Sequence, residues 1–89
     1  MDIKTYRLMI GNNLMEFEAV DIDLYITNND TLNLIIQTFT RFGYLLSPNY
    51  TKLSFPEIQG FILYERGYEC WVQIKTDKDL RKEQNNGIQ

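Results

Sequence analysis

The chain has 89 residues and a formal net charge of −3, and hydrophobic residues make up 44% and aromatic residues 13% of it. This length corresponds to one small domain, and the apolar content excludes an intrinsically disordered protein. With no histidine and one cysteine, the sequence lacks the commonest general base and zinc ligand, and it cannot form an internal disulfide. The net acidity argues against direct nucleic-acid binding, which depends on a basic patch.

Residues 3–19 are predicted to form a β-hairpin, because apolar and polar residues alternate on both sides of Gly11-Asn12-Asn13. Glycine and asparagine accept the positive φ that a tight hairpin turn requires. A loop at Gly11-Asn12 gives three cross-strand pairs: Leu8 with Met15, Tyr6 with Phe17, and Arg7 with Glu16. A loop at Asn12-Asn13 places Arg7 opposite Glu18 instead, so both registers set Arg7 against a carboxylate.

The alternation changes phase by one residue at Ala19-Val20. Beyond this point the apolar positions are Val20, Ile22, Leu24 and Ile26. A shift of one residue indicates either a β-bulge or a break into a new strand, and both interpretations stay open.

Residues 29–42 are predicted to form an amphipathic helix. Their apolar residues recur at helical spacing: Leu32, Ile35, Ile36, Phe39 and Phe42. Polar residues from Thr27 to Asp30 offer N-caps, and Gly43 stands at the position of a C-terminal glycine. The β-branched and aromatic content of residues 35–42 leaves a strand as the alternative.

Residues 44–57 are mixed, with short strand segments on either side of Ser47-Pro48-Asn49. A second hairpin is predicted over residues 58–76, with its turn at Arg66-Gly67 or in a longer loop, and with Cys70 facing inward. Residues 77–89 are polar and are predicted to form a frayed tail.

The predicted fold class is α+β, in one domain over residues 1–76. It consists of a mostly antiparallel sheet of about four to six strands, including the two hairpins, with one central amphipathic helix packed on one face.

The longest one-signed stretch runs from Leu8 to Thr40, which contains no lysine or arginine. It holds five carboxylates: Glu16, Glu18, Asp21, Asp23 and Asp30. A surface of one sign favours partners of the opposite sign, so these residues are candidate contacts for a basic protein. The competing interpretation is that they are solvated strand faces, with Asp30 placed at a helix start.

A second candidate surface consists of Ile62, Tyr64 and Trp71, which share the more polar face of the second hairpin. An exposed patch of this composition is typical of a protein-binding or self-association surface. The alternative is that another segment covers Trp71 and makes it part of the core.

No catalytic, cofactor-binding or metal site is predicted. The sequence shows no nucleophile paired with a base, no phosphate-binding glycine loop and no cluster of metal ligands. No apolar run reaches the length of a membrane span, and the low cysteine content favours the cytoplasm.

The sequence therefore predicts a small non-enzymatic domain that binds a protein partner with a basic surface, without contacting nucleic acid or membrane. The most specific hypothesis is an inhibitor encoded by a phage or mobile element, acting in a bacterial cytoplasm on a nucleic-acid-handling protein, as an anti-CRISPR protein does. One alternative is a homo-oligomer that sequesters a small ligand and pairs through its second hairpin, and another is a subunit of a larger assembly.

Overall fold

The computed structural model describes residues 2–86, which form seven strands followed by one helix. The elements are β1 (Lys4–Ile10), β2 (Asn13–Ala19), β3 (Asp21–Ile26), β4 (Leu32–Phe42), β5 (Leu45–Phe55), β6 (Phe61–Arg66), β7 (Trp71–Thr76) and α1 (Asp77–Asn86). The first sheet has the strand order β2-β1-β6-β7, and the second sheet has the order β3-β4-β5. Every neighbouring pair of strands is antiparallel.

The two sheets share one hydrophobic core. Its buried side chains come from both sheets, from the β5–β6 loop and from α1: Tyr6, Leu8, Ala19, Ile26, Leu32, Leu34, Ile36, Ile58, Phe61, Leu63 and Leu80. Each sheet therefore buries the apolar face that its alternating sequence provides, which is a sheet-on-sheet arrangement. The predicted α+β class, with a central helix covering one sheet, is wrong.

The first hairpin forms with the register predicted for a Gly11-Asn12 loop. Tyr6 lies opposite Phe17, Arg7 opposite Glu16, and Leu8 opposite Met15. Gly11 has a φ of 57°, and glycine at the first turn position is the signature of a type II′ turn.

The phase change at Ala19-Val20 marks the point where the chain passes from one sheet to the other. Ala19 ends β2 in the first sheet, and Asp21 begins β3 in the second. Ala19 is fully buried at this corner, and the backbone N–H of Val20 donates to the Gln37 carbonyl at 2.9 Å. Of the two interpretations that the sequence left open, the structure shows a break into a new strand.

The helix predicted over residues 29–42 is instead β4, the central strand of the second sheet. Leu32, Leu34 and Ile36 alternate along it and are buried, while Ile35 lies on the opposite face and is half-buried. The helical spacing thus arose because both faces of this strand carry apolar residues. The predicted N-cap residues form the β3–β4 turn, in which the Asp30 N–H donates to the Thr27 carbonyl at 3.1 Å.

The predicted break at Ser47-Pro48-Asn49 is also absent, because β5 runs without interruption from Leu45 to Phe55. Proline removes a backbone donor and is confined mainly to edge strands of sheets. β5 is an edge strand, so it accommodates Pro48.

The second hairpin closes through a longer loop than Arg66-Gly67. Its last strand pair is Arg66 with Trp71, and residues 67–70 form the loop. Cys70 lies in this loop and is exposed, so its predicted inward position is wrong. The pairing of β6 with β7 also shifts by one register position between Leu63 and Tyr64, so the two strands do not alternate regularly along their whole length.

The predicted frayed tail is wrong for residues 77–86, which form α1, while residues 87–89 lie outside the described part of the chain. Thr76 caps the helix, since its hydroxyl accepts from the Asp79 N–H at 3.3 Å and its own N–H donates to the Asp79 carboxylate at 3.0 Å. This reciprocal pair is a capping box. Leu80 is buried against the core.

Two polar side chains of α1 anchor it to the β3 end of the second sheet. The Gln84 side chain accepts from the Ile26 N–H at 2.8 Å and donates to the Ile26 carbonyl at 2.9 Å. Arg81 pairs with Asp30 at 2.9 Å. The helix therefore covers one end of the core instead of lying on a sheet face.

Tyr6 is a buried titratable group in the core, and its ring stacks on Phe17 with centroids 5.4 Å apart. Burial raises the pKa of the Tyr6 phenol above its ordinary value of 10.0, and the negative charges of Glu65 and Asp21 raise it further. The folded protein therefore holds this proton more tightly than the unfolded chain does. The resulting stability is fully present below the unfolded pKa and is lost as the pH rises through the folded pKa.

We expect the free energy of unfolding to fall more steeply above about pH 10 in the wild-type protein than in a Tyr6→Phe variant. Urea denaturation of both proteins measures this difference between about pH 8 and pH 11, a range that includes the ordinary tyrosine pKa. Parallel curves for the two proteins would show that Tyr6 titrates alike in the folded and unfolded states.

Candidate protein-binding interface

The ends of β4 and β5 form a hairpin, residues 38–50, that extends past the core and is called the arm below. The two strands pair continuously from Leu32 with Phe55 to Phe42 with Leu45, and the chain reverses at Gly43, whose φ is 59°. The radius of gyration is 14.4 Å, whereas a compact domain of this length has a value of about 12 Å. The arm accounts for this elongation because its residues from 40 to 50 are all exposed.

The arm is strongly apolar, above all at its tip. Its large hydrophobic side chains and their exposed fractions are Phe42 (73%), Tyr44 (105%), Leu45 (73%), Leu46 (44%) and Tyr50 (66%). Arg41 is the one charged residue between positions 38 and 50. Contiguous apolar surface of this kind is uncommon on monomeric proteins and is typical of interaction sites.

The arm also has an open backbone edge. β3 pairs with β4 only as far as Gln37, and within residues 2–86 no strand pairs with the same edge of β4 from Thr38 to Phe42. The Gln37 carbonyl faces β3, since it accepts from Val20. Backbone groups alternate in direction along a strand, so those of Phe39 and Arg41 face the open edge.

A groove of about 400 Å³ lies where the arm joins the body of the protein. Its lining is apolar at Ile3, Val20, Phe39 and Leu46, and charged at Glu18 and Arg41. Within the described part of the chain, Glu18 and Arg41 form no ion pair. The groove thus combines apolar walls with one unpaired charge of each sign.

The five predicted acidic residues do not share one sheet. Glu16 and Glu18 lie on β2 of the first sheet, Asp21 and Asp23 lie on β3 of the second, and Asp30 lies in the β3–β4 turn. Two of them have internal partners. Glu16 accepts from the Arg7 guanidinium at 2.9 Å, as the register predicted, and Asp30 pairs with Arg81.

The other three carboxylates, called the flanking carboxylates below, border the root of the arm: Glu18, Asp21 and Asp23. Glu18 lines the groove. Asp21 and Asp23 line a shallow depression together with Tyr50 and Lys52 on the outer face of the second sheet. Within residues 2–86 none of the three forms an ion pair, so their charges are free to meet those of a partner.

The second predicted surface, formed by Ile62, Tyr64 and Trp71, lies on the first sheet. All three side chains are half-buried. The Arg7 guanidinium lies 4.2 Å from the Trp71 ring centroid, and that of Arg66 lies 5.4 Å away. Trp71 is therefore neither core nor an open apolar patch, because two cations of its own chain lie against its ring.

Neither a metal site nor a membrane-spanning helix is found in the part of the chain that the structure describes. Residues 2–86 contain no group of three or more potential ligands placed to hold a metal ion. No helix formed by these residues has the length and apolar character needed to cross a bilayer.

Sequence reasoning missed the arm because it divided residues 38–50 between a helix and a short strand. A usable signal was present. Apolar residues stand on both sides of Gly43 with a single charge among them, and Gly43 is a turn residue as readily as a helix terminus. Interpreted as one hairpin, this stretch has more apolar side chains than a strand pair can bury in the domain.

Comparisons with models of protein families, with curated proteins and with solved structures gave no match to this chain.

Proposed function

We propose that this protein is a small non-enzymatic domain that acts by binding another protein, and that the arm is its main contact element. The observation that carries the proposal is the apolar tip, whose Phe42, Tyr44 and Leu45 side chains are each at least 73% exposed. Large apolar and aromatic side chains on a projecting element are the usual anchors of protein interfaces. They gain the most when a partner's pocket removes them from water.

The flanking carboxylates favour a partner with a basic surface around that pocket. Glu18, Asp21 and Asp23 border the root of the arm, so a protein that receives the arm meets their charges at the rim. Complementary rim charges mainly raise the association rate and select among partners. This supports the narrower proposal of an inhibitor of a nucleic-acid-handling protein, because the clefts of such proteins are basic.

We also propose that the protein works in a reducing compartment, such as the cytoplasm. Cys70 is the one cysteine in the sequence and its thiol is exposed. An exposed free thiol is oxidised readily outside reducing surroundings.

Shortening the arm tests the proposal. In the arm-shortened variant, residues 39–48 are replaced by Asn-Gly, which joins Thr38 to Asn49 through a two-residue turn. These two residues already lie opposite each other, and none of the replaced residues belongs to the buried core. We expect the variant to fold with an unchanged circular dichroism spectrum and to lose the partner that wild-type protein captures from cell lysate.

A charge-reversed variant, in which Glu18, Asp21 and Asp23 are changed to Lys, serves as the matched control for the electrostatic part. We expect it to capture the same partner more weakly, with a loss that shrinks at high salt. Retention of the partner by the arm-shortened variant would overturn the arm as contact element. Equal capture by the charge-reversed variant and the wild-type protein would remove the flanking carboxylates from the interface.

A further inference from the structure

We infer that the open edge of β4 in the arm pairs with the same edge of a second copy of this chain, forming a symmetric antiparallel dimer. This goes beyond the proposed function, because it assigns the backbone edge of the arm to a second copy of the chain. Two-fold interfaces bring the same surface patch of each copy together, so the patch must be complementary to itself. The arm meets this requirement in length, hydrogen bonding and charge.

The two paired segments have the same length, because each copy contributes the same five residues of β4, Thr38 to Phe42. The edge opens after Gln37, where β3 ends its pairing, and β4 ends at Phe42 before the turn. When the second copy runs antiparallel along this edge, its turn at Gly43 lies beside Val20, where the first copy passes from one sheet to the other. The partner's turn then lies next to the apolar groove at the root of the arm.

Backbone directions restrict the register. Hydrogen-bonded pairs must join residues whose N–H and C=O groups face the open edge, namely Phe39 and Arg41. Pairing Phe39 with Phe39 would place Arg41 opposite Gln37, whose edge is already occupied by β3. Pairing Arg41 with Arg41 would oppose like charges, which is destabilising.

The remaining register pairs Phe39 of each copy with Arg41 of the other, and it uses every open donor and acceptor of these two residues. It also sets Thr40 opposite Thr40 and Thr38 opposite Phe42, which are favourable classes of cross-strand pair. Its centre is the Thr40 pair, at which the side chains approach most closely because that pair is not hydrogen-bonded.

Charge complementarity favours the same register. Arg41 of the second copy lies opposite Phe39, within the groove that Glu18 also lines. The guanidinium can then stack on the Phe39 ring and pair with the Glu18 carboxylate. Both charges lack an ion-pair partner among residues 2–86 of the single chain, and the two-fold axis repeats the contact.

The other edge of the arm is a poor candidate for this pairing. Within the arm β5 carries Pro48, and proline discourages strand addition at an exposed edge. The stretch of β4 from Thr38 to Phe42 contains no proline. Asp23 lies opposite Ile35, before the open edge of β4 begins, so the dimer leaves it available to a basic partner.

Disulfide trapping at the two-fold axis tests the pairing. The background is Cys70→Ser, because the exposed thiol of Cys70 would form disulfides of its own. On it, Thr40→Cys places two thiols at the centre of the dimer, where Cα atoms of a non-hydrogen-bonded pair are about 4.5 Å apart. That separation lies within the disulfide range.

Ser47→Cys on the same background is the matched control. Ser47 lies opposite Thr40 in the arm and is also exposed, but the two β4 strands separate it from its copy by about 14 Å, three strand spacings. We expect the Thr40→Cys protein to form disulfide-linked dimer on the order of tenfold faster than the Ser47→Cys protein, since only its thiols are within reach. Sedimentation equilibrium of the Cys70→Ser protein should show a dimer.

Equal crosslinking of the two cysteine variants, or a monomer in sedimentation, would overturn the paired edges. That result is separate from failure of the proposed function. A monomer whose arm-shortened variant loses a lysate partner refutes the dimer and leaves the arm as a contact element for another protein. A dimer trapped through Thr40 supports the inference whatever the lysate contains.

Discussion

Replacing Leu34 by alanine is expected to destabilise the protein by about 2–5 kcal/mol, the range for large-to-small changes in a core. Leu34 has no exposed surface, and it lies in the central strand of the second sheet between Leu24 and Leu53. The loss combines the transfer free energy of the removed carbons with the unfilled cavity. Since a small domain is stable by only about 5–15 kcal/mol, the variant is expected to be partly unfolded at 37 °C.

Urea denaturation followed by circular dichroism measures this effect, with Leu14→Ala as the matched control. Leu14 lies outside the arm and undergoes the same chemical change, but it is 58% exposed. Its replacement should alter the free energy of unfolding by no more than about 0.5 kcal/mol. Similar losses in the two variants would mean that burial of Leu34 in the core does not set the size of the effect.

The second large effect is expected at Leu80, the residue through which α1 enters the core. Its side chain is 3% exposed, and replacing it by alanine should remove about 2–5 kcal/mol of stability. The apolar contact matters more here than the intrinsic helix propensity, because a ten-residue helix is marginal without tertiary packing. The Gln84 and Arg81 contacts depend on the same docking.

Lys82→Ala provides the control for Leu80, since Lys82 is exposed on the same helix and alanine has a helix propensity at least as high as that of lysine. Thermal unfolding should leave the midpoint of this variant nearly unchanged and lower that of Leu80→Ala by more than about 8 °C, given the usual conversion for a domain of this size. A neutral Leu80→Ala variant would show that α1 does not hold the core closed.

The first hairpin was readable from sequence because two local signals agree there. The Gly11-Asn12 turn and the strict alternation on both sides specify the same register, and a one-residue slip would move Tyr6 and Leu8 out of the core. Agreement between turn chemistry and alternation is what makes such a prediction sound. The order of strands in the sheets was not readable, because β1 pairs with β6 across some fifty intervening residues.

β4 shows the opposite case. Leu32, Ile35 and Ile36 satisfy a helical stripe and a two-sided strand equally well, so local spacing does not decide between them. The decision comes from β3 and β5, which flank β4 on both sides. Both partners are neighbours of β4 in the chain, but the pairing with them leaves no mark on the sequence of the segment itself.

The C-terminal helix was not predicted, and the acidic residues were predicted as one group that the structure divides, for different reasons. The Thr76 and Asp79 cap was a readable helix start, but Leu80 is a single apolar residue in a polar segment and gives no stripe. The acidic residues were recognised as a group by sequence proximity alone. The corner at Val20 then separates them, because it carries the chain from one sheet to the other.

Because the arm lies outside the core, the protein can accept insertions there during evolution. The core reaches along β4 only to Ile36, so the arm contributes little to folding. Adding two residues to each of its strands would move the tip outward by about 7 Å with every side chain keeping its face. One residue added within β3 would instead shift the alternation by one position and move the side chains on one side of the insertion to the opposite face. The length of the arm and the position of the β3 carboxylates can therefore change independently during evolution, while the two-sheet scaffold stays the same.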